Sequence, residues 1–148
     1  MPKWWSGVLA VPAAVILTSG LSGCSTDSSA SATNADPAAV AGSTTAVRIG
    51  VTEFETVLAT PGVQIIDVRT PAEFAEGHIR GARNIPVQDA DFTEQINGLD
   101  PAGSYAVYCR SGNRSQPAVA AMQRAGISTI YELAVGTTGW VAAGRPLE

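Results

Sequence analysis

One heptapeptide concentrates the groups able to do chemistry: Cys109-Arg110-Ser111-Gly112-Asn113-Arg114-Ser115. A thiolate is a strong nucleophile and a thiol is a poor one, so the question is what stabilises charge on the sulfur. Three influences point the same way. The loop follows the apolar run Tyr105-Ala106-Val107-Tyr108 and precedes a helix start near Ser115. Successive backbone N–H groups in such a strand-to-helix turn can converge on one anion, and the helix adds its positive end. Arg110 and Arg114 bring positive charge around the sulfur. Gly112 permits a tight turn where a side chain would clash. The bland alternative is an inert buried thiol, but that role calls for neither two arginines nor a glycine within five residues. Cys109 is therefore expected to be a nucleophile at neutral pH. An amide cradle needs no general base, consistent with a single histidine, His78.

The elements that must position this loop alternate in type. Val63 to Val68 is a β-branched run, expected as a strand buried on both faces. Tyr105–Tyr108 and Ser128–Tyr131 are further strand candidates, Ile85–Val87 a short one, and Val47–Val51 an edge strand. Helix starts fall between them. Thr52 with Glu55, and Thr70 with Glu73, have capping-box spacing, the second with Pro71 at the first helical position. Asp91–Asn97 and Ser115–Ala125 read as helices, the latter capped by Ser115 and ended by Gly126. Strands alternating with short helices predict an α/β layer fold with a mainly parallel sheet over Val47 to Glu148.

Composition excludes several classes. The chain has 148 residues and a net charge of −4, and it contains no basic run that could neutralise a phosphate backbone. No nucleic-acid partner is expected. Two cysteines, Cys24 and Cys109, and one histidine cannot build a four-cysteine zinc site, a disulfide framework or a multi-histidine centre. No metal and no cofactor are expected. Residues 1–23 read as an export signal: Lys3 gives a positive start, and the apolar run Val8–Leu17 is shorter than the ~20 residues a membrane span needs. Leu21-Ser22-Gly23-Cys24 resembles a bacterial lipobox, which makes Cys24 the expected lipidation site and a bacterial membrane the expected location. Residues 24–46 are rich in Ser, Thr and Ala and lack Leu, Ile, Phe, Trp and Tyr, as expected of a flexible tether.

The domain resembles the rhodanese family of sulfurtransferases. The Cys109–Ser115 loop is similar to that family's active-site loop. Asp67-Val68-Arg69 with Glu73-Phe74, then Gly77-His78-Ile79, Gly81-Ala82 and Asn84-Ile85-Pro86, resemble its earlier signatures. Gly136, Trp140, Gly144 and Pro146 resemble its closing pattern, so the likeness spans about Ala59 to Glu148. It implies a three-layer fold with a central parallel sheet and a persulfide carried on Cys109. It further implies a small anionic sulfur donor and a thiol or cyanide acceptor. The loop from Arg110 to Ser115 would bind donor and persulfide, with Asp67 and Arg69 supporting it. Two other readings on the same fold are an oxyanion enzyme acting on phosphate or arsenate, and a non-catalytic binding module. The four residues between Cys109 and Arg114 speak against the first, because related phosphatases have five, and the retained cysteine speaks against the second. Blander roles suit the remaining residues: Arg69 pairing with Glu73 at i,i+4 spacing, His78 as a turn residue and Trp140 as packing. Val135 stands where the family usually has the first of two glycines, so the backbone there is expected to differ and the pocket rim with it.

Overall fold

A computed structural model describes residues 44–148; the expected export signal and lipobox, and nearly all of the expected tether, lie outside them. Five parallel strands form one sheet in the order β1-β5-β4-β2-β3. They are β1 (Thr45–Ile49), β2 (Val63–Asp67), β3 (Ala82–Asn84), β4 (Ser104–Tyr108) and β5 (Thr129–Leu133). Five helices connect or follow them: α1 (Val51–Leu58), α2 (Pro71–Ala75), α3 (Phe92–Asn97), α4 (Ser115–Arg124) and α5 (Gly136–Ala142). The α/β expectation holds, and the sheet is wholly parallel among the described strands.

The centre of the sheet is β4, not β2. Tyr105 to Tyr108 are all fully buried, whereas Gln64 of β2 is exposed and only Ile66 and Asp67 of that strand are buried. Alternation along β4 divides the core. Tyr105 and Val107 point with Cys109 into a cluster closed by Phe92 and Ile96 of α3 and by Ala118 and Met122 of α4. Ala106 and Tyr108 point the other way, among Phe54 of α1, Leu133 and Trp140 of α5. Two apolar layers on opposite faces of one sheet make the three-layer architecture.

Four local expectations need correction. Ile85–Val87 is not a strand: β3 ends at Asn84, and although Ile85 and Val87 donate to Asp67 and Val68 carbonyls at 2.9 and 3.2 Å, Pro86 between them has no N–H to continue a ladder. The Thr52–Glu55 box does not form, because α1 starts earlier, at Val51, with the Gly50 carbonyl accepting from the Phe54 N–H at 3.0 Å. Ser115 does not cap α4; Arg114 occupies the N-cap and the Ser115 hydroxyl is used elsewhere. The edge strand runs Thr45–Ile49 and not Val47–Val51, since Thr45 and Ala46 pair with Thr129 and Ile130 of β5. By contrast, the Thr70–Glu73 capping box forms in both directions, with Pro71 in the first turn. β1 lies at the sheet edge as expected.

Phe54 has no exposed surface and meets the Trp140 ring edge-on, centroids 6.2 Å apart. Phe54→Ala should therefore lower unfolding free energy by about 3–5 kcal/mol, a cavity cost that urea titration measures directly.

Candidate active site

The carboxyl ends of β2 and β4 lie side by side, Asp67 in register with Tyr108, so the loops that follow them meet above the sheet edge. Tyr108 ends β4 and Cys109 begins the loop, with no exposed surface of its own. The Gly112 N–H donates to Cys109 Sγ at 3.1 Å, and the Ser115 Oγ lies 3.5 Å from the sulfur. Burial pushes the thiol pKa up. Hydrogen bonding to the Ser115 side chain and to the backbone N–H groups of Ser111, Ser115 and Gly112 outweighs it, leaving the thiol below its ordinary value. The loop cannot widen around a side chain at Gly112, where φ is +82°. A Cβ there would fall on the Ala134 carbonyl and 2.7 Å from Arg48 Nη2.

The loop backbone is gripped from outside by α5. The Thr137 and Thr138 N–H groups donate to the Cys109 and Arg110 carbonyls at 2.9 and 3.0 Å. Gly136 makes that approach with φ of +56°, and a Cβ on it would strike the same two residues' backbone. Val135 lies before it at φ −105°, so one glycine suffices for the left-handed turn.

The arginines are not distributed as their spacing suggests. Arg114 forms a two-pronged pair with Glu73 of α2, Nη2 to Oε1 at 2.6 Å and Nη1 to Oε2 at 2.7 Å. Arg69 does not pair with Glu73. It donates through Nε and Nη2 to Asp67 at 2.9 and 2.6 Å, and through Nη2 to the Gly77 carbonyl at 2.7 Å. Desolvation lowers the Arg69 pKa, but the Asp67 carboxylate outweighs it, so the guanidinium is more firmly charged than usual. Asn84 Nδ2 bonds the carbonyls of both Asp67 and Arg69 at 2.9 Å, closing the turn between them. Arg110 is exposed and its side chain makes no ion pair among the described residues. His78 stacks on Phe74 at 3.8 Å, and Trp140 donates to the Pro146 carbonyl at 3.0 Å within the core.

A cleft of about 360 Å³ opens above the loop, walled by Arg69, Glu73, Arg110, Thr137, Val141 and Leu147. Cys109 is fully buried and is not itself part of this wall. Val135 is not in the wall, so its substitution leaves the rim to other residues. Two participants escape sequence reasoning altogether. Glu132 of β5 accepts from Ser115 Oγ at 2.6 Å, and Arg48 of β1 donates to Glu132 at 3.1 Å and to the Ala134 carbonyl at 2.9 Å. The available signal was a lone carboxylate between the buried Ile130 and Leu133. Among the described residues no cluster of three metal-ligating side chains occurs.

Residues 50–143 match the Rhodanese-like domain family. The chain belongs to that family. An Arabidopsis thaliana protein named thiosulfate sulfurtransferase 18 is 34% identical over 113 residues, covering 68% of this chain and 82% of the relative. The Pseudomonas aeruginosa thiosulfate sulfurtransferase GlpE is 40% identical over 80 residues, covering 53% and 70%. The crystal structure of a rhodanese-related protein from Thermoplasma volcanium superposes with a TM-score of 0.60 at 29% identity, over 68% of this chain and 96% of that one. The relatives and the fold support a sulfurtransferase family.

The Arg114 pair sets an acid limit on stability. It is the largest cause that lowers the Glu73 pKa from 4.5 to about 2. A carboxylate with a depressed folded pKa stabilises the fold above its unfolded pKa, and that stabilisation is lost as pH falls from about 4.5 towards about 2. Arg114→Met should flatten this limb, so that mutant and wild-type unfolding free energies, measured by denaturant titration, converge at the acid end of the window.

Proposed function

We propose that the chain transfers sulfane sulfur from a small anionic donor of the thiosulfate class to a thiol or cyanide, with Cys109 carrying the sulfur as a persulfide. The observation that carries the reading is the amide cradle around Cys109 Sγ, headed by the Gly112 N–H at 3.1 Å. In the first step the Cys109 thiolate attacks the outer sulfur of the donor. A new S–S bond forms, the donor's S–S bond breaks, and sulfite leaves with the bonding pair. The terminal persulfide sulfur then bears the charge, which inward N–H groups stabilise as they did the thiolate. In the second step an acceptor thiolate or cyanide attacks that sulfur and restores the Cys109 thiolate.

Arg110 is the side chain this reading gives to the donor, because Arg114 is already matched by Glu73 and Arg69 by Asp67. Ser111, Asn113 and Ser115 complete the loop that would enclose the persulfide. Four residues between Cys109 and Arg114 favour sulfur over a tetrahedral oxyanion, which needs a wider ring of donors.

The N-terminal sequence adds a location. Lipid on Cys24 would anchor the protein to a bacterial membrane on the outer side of the export step, with residues 24–46 as the tether. Two or three acyl chains anchor stably where one does not. Wild-type protein expressed in a lipoprotein-processing bacterium should fractionate with membranes, and Cys24→Ala should be recovered as soluble or unprocessed protein. Soluble wild type would remove the anchor from the proposal.

The catalytic claim has a direct readout. Incubation with thiosulfate should add about 32 Da, one sulfur atom, to the Cys109 peptide, as a covalent intermediate requires. Cyanide should discharge it as thiocyanate. Cys109→Ser should abolish both, and Arg110→Ala should raise KM for thiosulfate by more than about tenfold, as the loss of a charge-assisted bond of ~1.5–3 kcal/mol requires. A folded, reduced wild type showing neither adduct nor thiocyanate with thiosulfate or polysulfide would leave a binding module in place of an enzyme.

A further inference from the structure

Glu132 is a buried carboxylate that the sulfur-transfer steps do not use. It is 6% exposed, sits on β5 in register with Val107 of β4, and forms an ion pair with Arg48 of β1 at 3.1 Å. A carboxylate has no proton to give, so the 2.6 Å contact between Ser115 Oγ and Glu132 Oε1 is donated by the serine. A hydroxyl owns one proton. While it holds Glu132, Ser115 therefore presents a lone pair towards Cys109, 3.5 Å away, and accepts from the thiol S–H; its hydroxyl joins the bonds that lower the thiol pKa only when it donates to the sulfur instead. Ser115 can serve the anion only by turning away from Glu132.

We infer that Glu132, braced by Arg48, is a positioning residue that draws the Ser115 proton away from Cys109 and keeps the sulfur more basic than the amide cradle alone would leave it. The purpose rests on the sulfurtransferase reading; the test does not. Thiolate nucleophilicity falls with basicity, with a slope of about 0.4–0.5, and the best attacking thiol has a pKa near the ambient pH. A cradle of backbone donors joined by a hydroxyl donor would give an abundant but sluggish anion. Glu132 opposes this twice, by competing for the hydroxyl and by adding negative charge near the sulfur. The other charged groups around the loop are matched elsewhere: Arg114 at its end with Glu73 of α2, and Arg69 with Asp67 at the end of β2. Arg110 extends into solvent, and Tyr108 of β4 accepts from the Ile79 N–H at 3.0 Å on the opposite face. Among the described residues, only the Glu132–Arg48 pair reaches the sulfur through a hydrogen-bonded serine.

The experiment is the pH dependence of Cys109 alkylation by iodoacetamide, followed by peptide mass spectrometry on the reduced, full-length protein. Glu132→Gln keeps the shape and an acceptor oxygen but removes the charge. Its midpoint should fall by about one pH unit, roughly tenfold more thiolate on the acid side. Arg48→Gln leaves Glu132 uncompensated, and its midpoint should rise. In a Ser115→Ala background the Glu132→Gln shift should shrink, because the competition for the hydroxyl is gone. Glu132→Asp, which keeps charge but shortens the reach to Ser115, should give an intermediate midpoint and stands in if the Gln variant does not fold. Opposite shifts for Glu132→Gln and Arg48→Gln support the inference, since damage to the fold would move both one way. Unchanged midpoints, or shifts of the same sign, overturn it. Loss of thiosulfate turnover from wild type with these shifts intact would count against the sulfur-transfer reading alone.

Discussion

A loop that turns its N–H groups inward around a sulfur must turn its carbonyls outward, and each of those carbonyls then needs a donor. Much of the domain supplies those donors. The Tyr108 carbonyl accepts from the Val68 N–H at 3.0 Å, across the β2–β4 seam. The Cys109 and Arg110 carbonyls accept from Thr137 and Thr138 at the free N–H end of α5. The Gly112 carbonyl accepts from Gln116 Nε2 at 2.9 Å, within the first turn of α4. A cradle built this way is preorganised: no side chain has to swing in when charge develops, because the backbone dipoles are already held from behind.

Charge around the site follows a different rule from charge in the sequence. A buried ion is stable only when matched, since its desolvation cost exceeds what a distant partner returns. Asp67 with Arg69 and Glu132 with Arg48 meet that requirement with one carboxylate almost wholly enclosed. Glu73 with Arg114 meets it in a half-buried setting. Counting arginines near Cys109 therefore overstates the positive field at the sulfur. The thiol owes its lowered pKa to hydrogen bonds from the loop and the start of α4. This division suits sulfur transfer, in which the anion moves outward by one atom and a diffuse array of amides follows it better than a single guanidinium fixed by salt bridges.

The parts of the structure legible in sequence are those fixed by neighbours along the chain. The Thr70–Glu73 capping box and the turn from Tyr108 through Gly112 into α4 depend on residues a few positions apart, and their types suffice to read them. The parts not legible depend on sheet order. Thr45 and Ala46 look like tether until β5 is known to lie beside them. Arg48 and Glu132 are 84 positions apart, and only the β1-β5-β4 order carries both to the cysteine loop. Glu73 offered two arginines at plausible reach. Helix spacing favoured Arg69, but the buried Asp67 takes that guanidinium first and leaves Glu73 for Arg114.

Val135 shows how a substitution at a special position is absorbed. Its backbone stays in the right-handed region at φ −105°, and Gly136 alone carries the left-handed turn beneath the cysteine loop. The added side chain still needs room. It is 43% exposed, and its inner surface packs against Gly139 one helical turn later, where a Cβ would overlap the Val135 side chain. The small residue thus lies within α5 at i+4, where absence of a side chain costs helix propensity of about 1 kcal/mol but admits the valine. Because the N–H groups of Thr137 and Thr138 lie between these two positions, that packing holds the end of α5 against the Cys109 and Arg110 carbonyls. The geometry of the amide cradle is in this way tied to a valine that neither touches the sulfur nor lines the cleft.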